Sequence, residues 1–475
     1  MKKQLLFAAF ALLLTVTSCS KKEPIDPTPT PTNGMTEVKG DISASTKWTA
    51  DKIYFLKGTV YVTSGATLTI EPGTIIKGDK ATKGALVISR GGKIMAEGTA
   101  DKPIVFTSAQ VAGARREGDW GGLILLGKAP VNQGTDVSIE GIADDGSGKG
   151  KYGGTDVNDN SGVLKYVRVE FAGIPLSPDN EINGITFGGV GAGTTIDYVQ
   201  VYRSGDDSFE WFGGTVNAKH LLAIDGWDDD FDTDFGYSGK IQFAVSQRLI
   251  VTADQSGSNG FESDNDGSGS NLTPKTSPIF SNITIIGPIT AAGDKGKQNA
   301  NFQHAAQIRR NSSLSAFNSV FAGFAEGIYI DDSKVATAGA TSTNYTTGSL
   351  KFKNNIIISS NSKGNEVKGE NKALFEATLR TDNVFNDALY AADLFNGPNL
   401  FSKDLSIKVG RPDFTLKTGS IAATGALFSD AKFTGDTFFD KTVTYKGAFG
   451  TTDWTAGWAH FDPQALDYTT PGSVK

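Results

Sequence analysis

The chain has very little of several residues that whole classes of functional site require. Its 475 residues include one cysteine, three methionines and three histidines. A single cysteine excludes a disulfide framework and a thiolate zinc cluster, and the histidines lie in no catalytic motif. Long amphipathic helical patterns are scarce. The formal net charge is -7, so no basic surface for phosphate binding is expected, and nucleic acid is not expected as a partner.

The amino terminus has the pattern of an export signal. Lys2 and Lys3 precede a short apolar run that is too short to cross a bilayer, and the run leads to "TVTSC", which ends in Cys19. This ending resembles the lipobox of bacterial lipoproteins, in which the signal is removed and the cysteine carries the lipid. We therefore expect residues 1–18 to be a signal peptide and Cys19 to be lipidated. The protein would then be an outer membrane lipoprotein on the cell surface or the periplasmic face.

A tether follows the cysteine. The stretch "SKKEPIDPTPTPTNG" alternates proline and threonine, a pattern that favours an extended chain without helix or sheet. We expect residues 19–35 to hold the protein at the membrane by its lipid. Residues 36–475 are then expected to form a single folded domain with a cap at its carboxyl end.

Internal repeats indicate the architecture of that domain. Short runs rich in Val, Ile, Phe and Thr recur between clusters of Gly, Asn and Asp, and glycine alone accounts for 57 residues. Residues 61–74 align with residues 87–99 at an offset of 26, and residues 204–214 align with 226–236 at an offset of 22. Repeats of this length bury their apolar residues by stacking on one another. The sequence therefore predicts an all-β fold, a right-handed parallel β-helix with end caps.

Two other architectures also use many short strands. A β-propeller or a pair of β-sandwiches would need antiparallel hairpins, and a propeller repeat runs nearer to about 40 residues. One segment departs from the strand pattern, because residues 371–397 carry helix formers at helical spacing. We expect a short helix there, laid against the coil or closing its end, where an open rung would expose a sheet edge.

The two aligned stretches "SGDDSFEWFGG" (204–214) and "GWDDDFDTDFG" (226–236) crowd carboxylates around one phenylalanine each. Neighbouring strands lie about 4.8 Å apart, so equivalent carboxylates on stacked rungs would face each other. Like charges directly opposed destabilise a sheet, and calcium is the ion that binds many carboxylate oxygens. We predict a Ca2+ site, with ligands from Asp206, Glu210, Asp228, Asp230 and Asp232.

A further acidic stretch, "ESDNDGSGSN" (262–271), adds Glu262, Asp264 and Asp266 at alternate positions before a glycine. This resembles the start of a calcium-binding loop, but Thr273 stands where such a loop would have a bidentate glutamate. An ion there would need ligands from another rung. The alternative interpretation of all these stretches is a solvated turn rich in Asp, Asn and Gly.

The tryptophans are candidates for ligand binding. Trp211 and Trp227 lie inside the acidic stretches, and Trp454 and Trp458 lie together in "DWTAGWAHFDP" (453–463). Exposed indole faces beside carboxylates bind sugars by stacking on their apolar faces. The alternative for residues 453–463 is an aromatic plug that closes the last rung of the coil.

Three phrases of the chain, "GDWGGLILLGKAPVN", "DDSFEWFGGTVN" and "GTTDWTAGWAHFDP", resemble those of lipoproteins common in Bacteroidota. The resemblance runs from about Gly118 to the carboxyl terminus. It implies a pectin-lyase-like β-helix and an envelope location. That family has no agreed activity, so the resemblance transfers no catalytic residue.

We therefore expect a lipid-anchored, calcium-supported β-helix that binds a glycan or another extracellular ligand along its side. A polysaccharide lyase or glycoside hydrolase on the same scaffold is the first alternative, because paired carboxylates serve as acid and base in glycoside hydrolysis. The chain lacks the Gly-His-Gly and Arg-Ile-Lys patterns of polygalacturonases. A structural surface adhesin is the second alternative.

Overall fold

The computed structural model describes residues 34–142, 144–175, 182–398 and 411–475. Cys19, the expected signal peptide and tether residues 19–33 lie outside these ranges, so their assignment stays a prediction. None of the helices within the described ranges has the length and the apolar character that crossing a bilayer would require.

Short β-strands make up most of the fold. The strands of the first part are β1 (Thr36–Ile42), β2 (Thr46–Trp48), β3 (Ile53–Val62), β4 (Thr67–Ile70), β5 (Ile75–Gly78), β6 (Ala85–Ile88), β7 (Lys93–Glu97), β8 (Ile104–Ser108), β9 (Gly122–Leu126), β10 (Val137–Ser138) and β11 (Lys151–Tyr152). Those of the middle are β12 (Gly162–Glu170), β13 (Ile185–Gly188), β14 (Thr195–Tyr202), β15 (Phe209–Phe212), β16 (Asn217–Ile224), β17 (Phe231–Asp234), β18 (Lys240–Gln247), β19 (Phe261–Ser263), β20 (Ile279–Ser281) and β21 (Thr284–Ile286).

The last part adds β22 (His304–Ile308), β23 (Ser315–Phe317), β24 (Val320–Ala322), β25 (Glu326–Ile330), β26 (Lys351–Lys353), β27 (Ile356–Ile358), β28 (Val367–Lys368), β29 (Val384–Asn386), β30 (Phe395–Gly397) and β31 (Asp413–Leu416). The α-helices are α1 (Ala340–Thr346), α2 (Glu376–Asp382) and α3 (Ala391–Leu394). Single 3-10 turns lie at Ala292–Asp294, Lys372–Leu374, Ala431–Phe433 and Pro463–Ala465.

The strands pair in parallel from one rung to the next and form three faces of one coil. Sheet one contains β2, β4, β7, the first halves of β12, β14, β16 and β18, then β20, β23 and β26. Sheet two contains β5, β8, the second halves of the same long strands, then β21, β24, β27 and β29. Sheet three contains the second half of β3, then β6, β9, β13, β15, β17, β19, β22, β25 and β28.

The registers predicted from the repeats are confirmed. Leu68 pairs with Ile94, and Phe209 pairs with Phe231, as the offsets of 26 and 22 require. Among the described strands, the antiparallel pairs are β10 with β11 and β30 with β31, outside the coil. The parallel pairing of successive rungs excludes a propeller or a sandwich, and the parallel β-helix is confirmed.

The interior of the coil is a ladder of apolar side chains. On sheet three, Leu123, Ile185, Phe209, Phe231 and Phe261 occupy one inward column and are fully buried. The rings of Phe209 and Phe231 are stacked with their centroids 5.7 Å apart. Because side chains alternate between the faces of a strand, this inward column directs the residues next to it outward.

The corner between sheets one and two is built from residues in the left-handed backbone region. Tyr198, His220 and Phe243 occupy it in successive rungs, and asparagines such as Asn282 and Asn318 occupy it further along. Asparagine tolerates this conformation because its side chain bonds to nearby backbone. The rings of Tyr198 and His220 lie parallel at 4.2 Å, so stacking from rung to rung offsets the strain at the aromatic positions.

The last rungs of the coil are not closed by residues 453–463, as one interpretation of the sequence had it. Phe375 and Leu379, the latter on α2, pack into the interior core at the last rungs, so a short helix lies near the end of the coil as expected for residues 371–397. Trp458, however, packs against Tyr166 and Tyr198 of the early strands β12 and β14. The prediction that residues 453–463 plug the last rung is therefore wrong, because by these residues the chain has returned along the coil to its early strands.

The carboxyl-terminal segment, residues 411–475, runs back over the outer face of sheet two. That face is apolar and packs on Phe414, Phe449, Trp458 and Phe461 of the segment. Side-chain amides of the coil also bind the segment's backbone in reciprocal pairs. Gln200 Nε2 donates to the His460 carbonyl (2.8 Å) and Gln200 Oε1 accepts from the His460 amide (3.0 Å). The outer face of sheet two is therefore occupied.

Candidate functional site

Sheet three carries a row of carboxylates on its outer face, which we call the acidic ladder: Glu210, Asp232 and Glu262. Glu210 pairs with Asp232 across β15 and β17, and Asp232 pairs with Glu262 across β17 and β19. Each follows an inward phenylalanine, so strand alternation turns the carboxylate outward. The row begins after Thr186 and continues into Gln307. The predicted stacking of these carboxylates on consecutive rungs is confirmed by this register.

The turn that leads into sheet three adds a second row of acids. Asp207 Oδ1 accepts the amide N–H of Asp229 at 2.7 Å, and Asp229 in turn accepts the amide N–H of Asn259. Asn259 Oδ1 accepts the amide N–H of His304 at 3.0 Å. Each side chain therefore fixes the turn of the next rung. Our choice of ligands left out Asp207 and Asp229, although their recurrence at an offset of 22 was a signal that both belong to the site.

The two rows combine into carboxylate triads. Asp207, Glu210 and Asp232 each place one oxygen within 4.8 Å of the others, and Asp229, Asp232 and Glu262 do the same. Asp232 belongs to both triads. Its Oδ1 atom is buried and has no hydrogen-bond partner within the described part of the chain. An adjoining triad of Asp206, Asp207 and Asp228 extends the group towards the turn.

Burial makes the charged form of these acids unfavourable. It raises the pKa values of Asp207, Glu210, Asp229 and Asp232 well above the usual range, and the neighbouring carboxylates raise them further. Burial also raises the pKa of Glu262 to about 8, although Arg309 opposes the shift. A proton or another positive charge at the triads is therefore favoured over several bare carboxylates.

Two arginines stand at one end of the ladder. Arg309 pairs with Glu262 through Nη2 and donates from Nε to Asp264 Oδ1 at 2.8 Å. Arg310 Nη1 donates to Asp264 Oδ2 at 2.6 Å. Both guanidinium groups line a cavity of about 230 Å³ that also has Glu262, Gln303, Gln307, Asp331 and Lys334 in its wall. The cavity joins the acidic ladder to a basic and amide-rich surface.

Other residues predicted as metal ligands lie apart from the triads. Asp230 is fully buried and faces Arg248, with Oδ1 at 3.4 Å from Nη1. Asp264 is held by the two arginines. Asp266 accepts from Ser268 and Ser270 within its own loop. The structure does not bring Glu262, Asp264 and Asp266 together as ligands of one ion, because Glu262 and Asp264 share Arg309 and Asp266 bonds within its own loop.

The predicted tryptophan surface is largely wrong. Trp211 lies inside the coil with no exposure, stacked on Phe187 at 5.5 Å, because its alternation follows that of Phe209. Trp458 is buried between the carboxyl-terminal segment, to which it belongs, and the coil, and Trp454 stacks on Phe449 at 4.7 Å. Trp227 is half-buried in the turn just before Asp228, and its Nε1 donates to Asp254 at 3.0 Å. Among the four, Trp227 adjoins the acidic residues with part of its surface accessible.

The donor set fits a hard divalent cation. It consists of carboxylate oxygens alone, arranged so that several converge, and it includes the orphaned Oδ1 of Asp232. Calcium takes six to eight such oxygens and zinc prefers nitrogen or sulfur ligands. The convergent oxygens include those of Asp207 and Asp229 and exclude those of Asp230, Asp264 and Asp266, and Ca2+ itself stays a prediction.

Comparison with known proteins agrees with the fold. A search of curated proteins found no match. The family described as a pectate-lyase-like β-helix domain matches residues 40–392, which is most of the chain. The match supports the pectin-lyase-like part of the resemblance, and the likeness to Bacteroidota lipoproteins stays a prediction. The chain belongs to the pectate-lyase-like β-helix domain family.

Proposed function

We propose that this protein is a lipid-anchored envelope protein that binds an acidic glycan along sheet three with the help of calcium held by the acidic ladder. The observation that carries the proposal is the pair of carboxylate triads that share Asp232. Burying this many acids side by side costs stability unless a cation neutralises them. The family supports a scaffold related to polysaccharides.

The chain's own residues define what each part of the site would do. Asp207, Glu210 and Asp232 would hold one ion, and Asp229 with Glu262 would complete a second group around the shared Asp232. A bound calcium ion would offset the mutual repulsion of the carboxylates and offer its remaining positions to oxygens of a ligand. Asn183, whose Nδ2 donates to Glu210, orients that carboxylate.

A glycan would lie along the same column of sheet three. Beyond Glu262 the column continues through Gln307, Tyr329 and Lys368. At about 4.8 Å per rung, the distance from Glu210 to Lys368 is about 24 Å, enough for several sugar rings. Amide, phenol and ammonium groups at this spacing bind hydroxyls and carboxylates. Acidic sugars are favoured because Arg309 and Arg310 stand beside the cavity.

Two measurements test this proposal. Isothermal titration calorimetry with CaCl2 on the folded domain should show binding that Asp232→Asn abolishes, since that residue serves both triads. A glycan array in calcium should show acidic oligosaccharides among the bound ligands, and the same array in chelator should lose them. Absence of calcium binding in the wild type would refute the proposal. Calcium binding without glycan binding would favour the structural adhesin.

The lipid anchor rests on the sequence pattern at Cys19 and has its own test. Full-length protein expressed in a bacterial host should partition with the membranes, and Cys19→Ala should release it or leave the signal uncleaved. Mass spectrometry of the mature amino terminus would identify the lipid. An unmodified amino terminus at another residue would refute the anchor and leave the ladder proposal standing.

Catalysis is the second candidate, and the ionisable groups favour a hydrolase over a lyase. Burial raises the pKa of Asp228 to about 6, with Asp254 adding to the shift, and that of Glu262 to about 8. With these values Glu262 would be mostly protonated and Asp228 mostly ionised near neutral pH, so Glu262 suits a general acid and Asp228 a general base. Arg309 is a poor base for a lyase, since Glu262 and Asp264 hold its pKa above the usual value despite its burial. A reducing-sugar assay on acidic polysaccharides, together with ultraviolet absorbance, distinguishes hydrolysis, elimination and simple binding.

A further inference from the structure

Arg309 and the second triad make competing demands on the same carboxylate. Glu262 Oε1 is paired with Arg309 Nη2, while Glu262 also supplies one of the three convergent oxygens of the triad with Asp229 and Asp232. The other oxygen of Glu262 faces Asn259 Nδ2 at 3.3 Å. Asp229 and Asp232 make no ion pair within the described residues. Of the three carboxylates in the second triad, Glu262 is therefore the one whose charge is neutralised by an ion pair, and its partner is Arg309.

Arg309 is positioned to leave this corner without losing all its contacts. Its Nε donates to Asp264, and Arg310 donates to the same carboxylate, so Asp264 stays paired if Arg309 moves. The side chain of Arg309 is 23% exposed. It already forms part of the cavity wall beside Gln307 and Lys334. A guanidinium released from Glu262 would therefore face the cavity and not the interior.

We propose that Arg309 is an internal counter-ion that a divalent cation displaces from Glu262, and that the released guanidinium then binds a carboxylate-bearing ligand in the cavity. This inference rests on the proposed function and assigns the coupling between its two ligands. Because coupling is reciprocal, the cation would tighten the binding of the acidic ligand, and the acidic ligand would tighten that of the cation. Coupling of this kind commonly changes affinity by fivefold or more.

The chain offers a matched control. Arg309→Gln and Arg310→Gln each remove one positive charge beside the same cavity, but only Arg309 pairs with a member of a triad. Calcium affinity is measured by titration calorimetry on the wild type and both variants. We expect Arg309→Gln to bind calcium about tenfold more tightly than Arg310→Gln, because it has lost the competitor and not merely a charge. Equal affinities in the two variants would overturn the displacement.

The coupling is tested separately with an oligogalacturonide as the acidic probe. Its affinity for the wild type and for Arg310→Gln should rise at least fivefold on adding calcium, and the rise should be smaller in Arg309→Gln, where only direct contact with the bound cation remains. An equal rise in Arg309→Gln would overturn the role of Arg309 while leaving calcium binding intact. If no variant binds calcium at all, the proposed function fails and this inference fails with it.

Release of the side chain has a direct readout. Phenylglyoxal modifies accessible guanidinium groups, and peptide mass mapping reports modification at each arginine. Adding calcium should increase modification at Arg309 relative to Arg310 in the same molecule. A decrease or no change at Arg309 would show that it stays on Glu262.

Discussion

Replacing Asp232 by asparagine should have opposite effects on stability with and without calcium. Asp232 contributes an oxygen to both triads, within 4.8 Å of the oxygens of Glu210 and Glu262. Two unit charges at that distance repel by about 3 kcal/mol at the effective dielectric constant of about 20 that suits protein sites. In chelator at pH 8 we expect Asp232→Asn to stabilise the fold by about 2 kcal/mol.

In calcium the wild type should be more stable to unfolding than Asp232→Asn. A ligand at a hundredfold excess over its Kd stabilises a folded protein by about 2.7 kcal/mol, and the wild type alone should gain this. The assay is urea unfolding at pH 8 in chelator and in millimolar calcium, for both proteins. Glu97→Gln is the control, because Glu97 is an outward carboxylate of β7 on sheet one, away from the triads. It should leave both curves unchanged. Destabilisation by Asp232→Asn in chelator would refute the reasoning.

Three further outcomes follow from the same contacts. Burial raises the pKa of Glu262 to about 8, so the protonated form of this residue favours the fold. In chelator, the stability that Glu262 contributes below about pH 4.5 should therefore be lost as the pH rises to 8. A melting temperature that rises over this range would contradict the assignment. Arg168→Ala should cost about 3–5 kcal/mol in urea unfolding, since it leaves the buried Glu170 without the partner now at 3.1 Å, and a loss under 1 kcal/mol would contradict that role. Trp211→Ala should lower stability by about 3–5 kcal/mol, whereas Trp227→Ala should weaken glycan binding with little effect on melting; equal effects on melting would sink the distinction.

The repeats made the coil and its register predictable, and alternation made the ladder predictable. Once Phe209 is placed inward, Glu210 must point outward, and an offset of 22 places Asp232 beside it. The same rule puts Trp211 inside with Phe209, so its assignment to the surface was an error of application. Asp207 was not predicted as a ligand because it lies in a turn, where strand alternation does not determine the direction of a side chain.

The path of residues 411–475 lay beyond sequence patterns. Irregular chain has no periodicity to read, and its anchors are single amides such as Gln200 and Asn318 that recognise backbone groups. The ion pairs of Glu262, Asp264 and Asp230 were equally hidden. Their arginine partners are distant in sequence or lie on another face, and nothing in the local pattern links them.

The returning segment changes how this coil can evolve and assemble. In an ordinary solenoid each repeat touches only its neighbours, so repeats are gained or lost with little effect elsewhere. Here Leu427 and Gly447 are both bound to Asn318, Asp440 to Gln242 and Val474 to Arg168, so the segment ties together rungs that are far apart in the coil. Deleting one repeat would put every later anchor out of step. Synthesis must also reach residues 411–475 before the outer face of sheet two is shielded from water, which makes late closure of that face the expected order of folding.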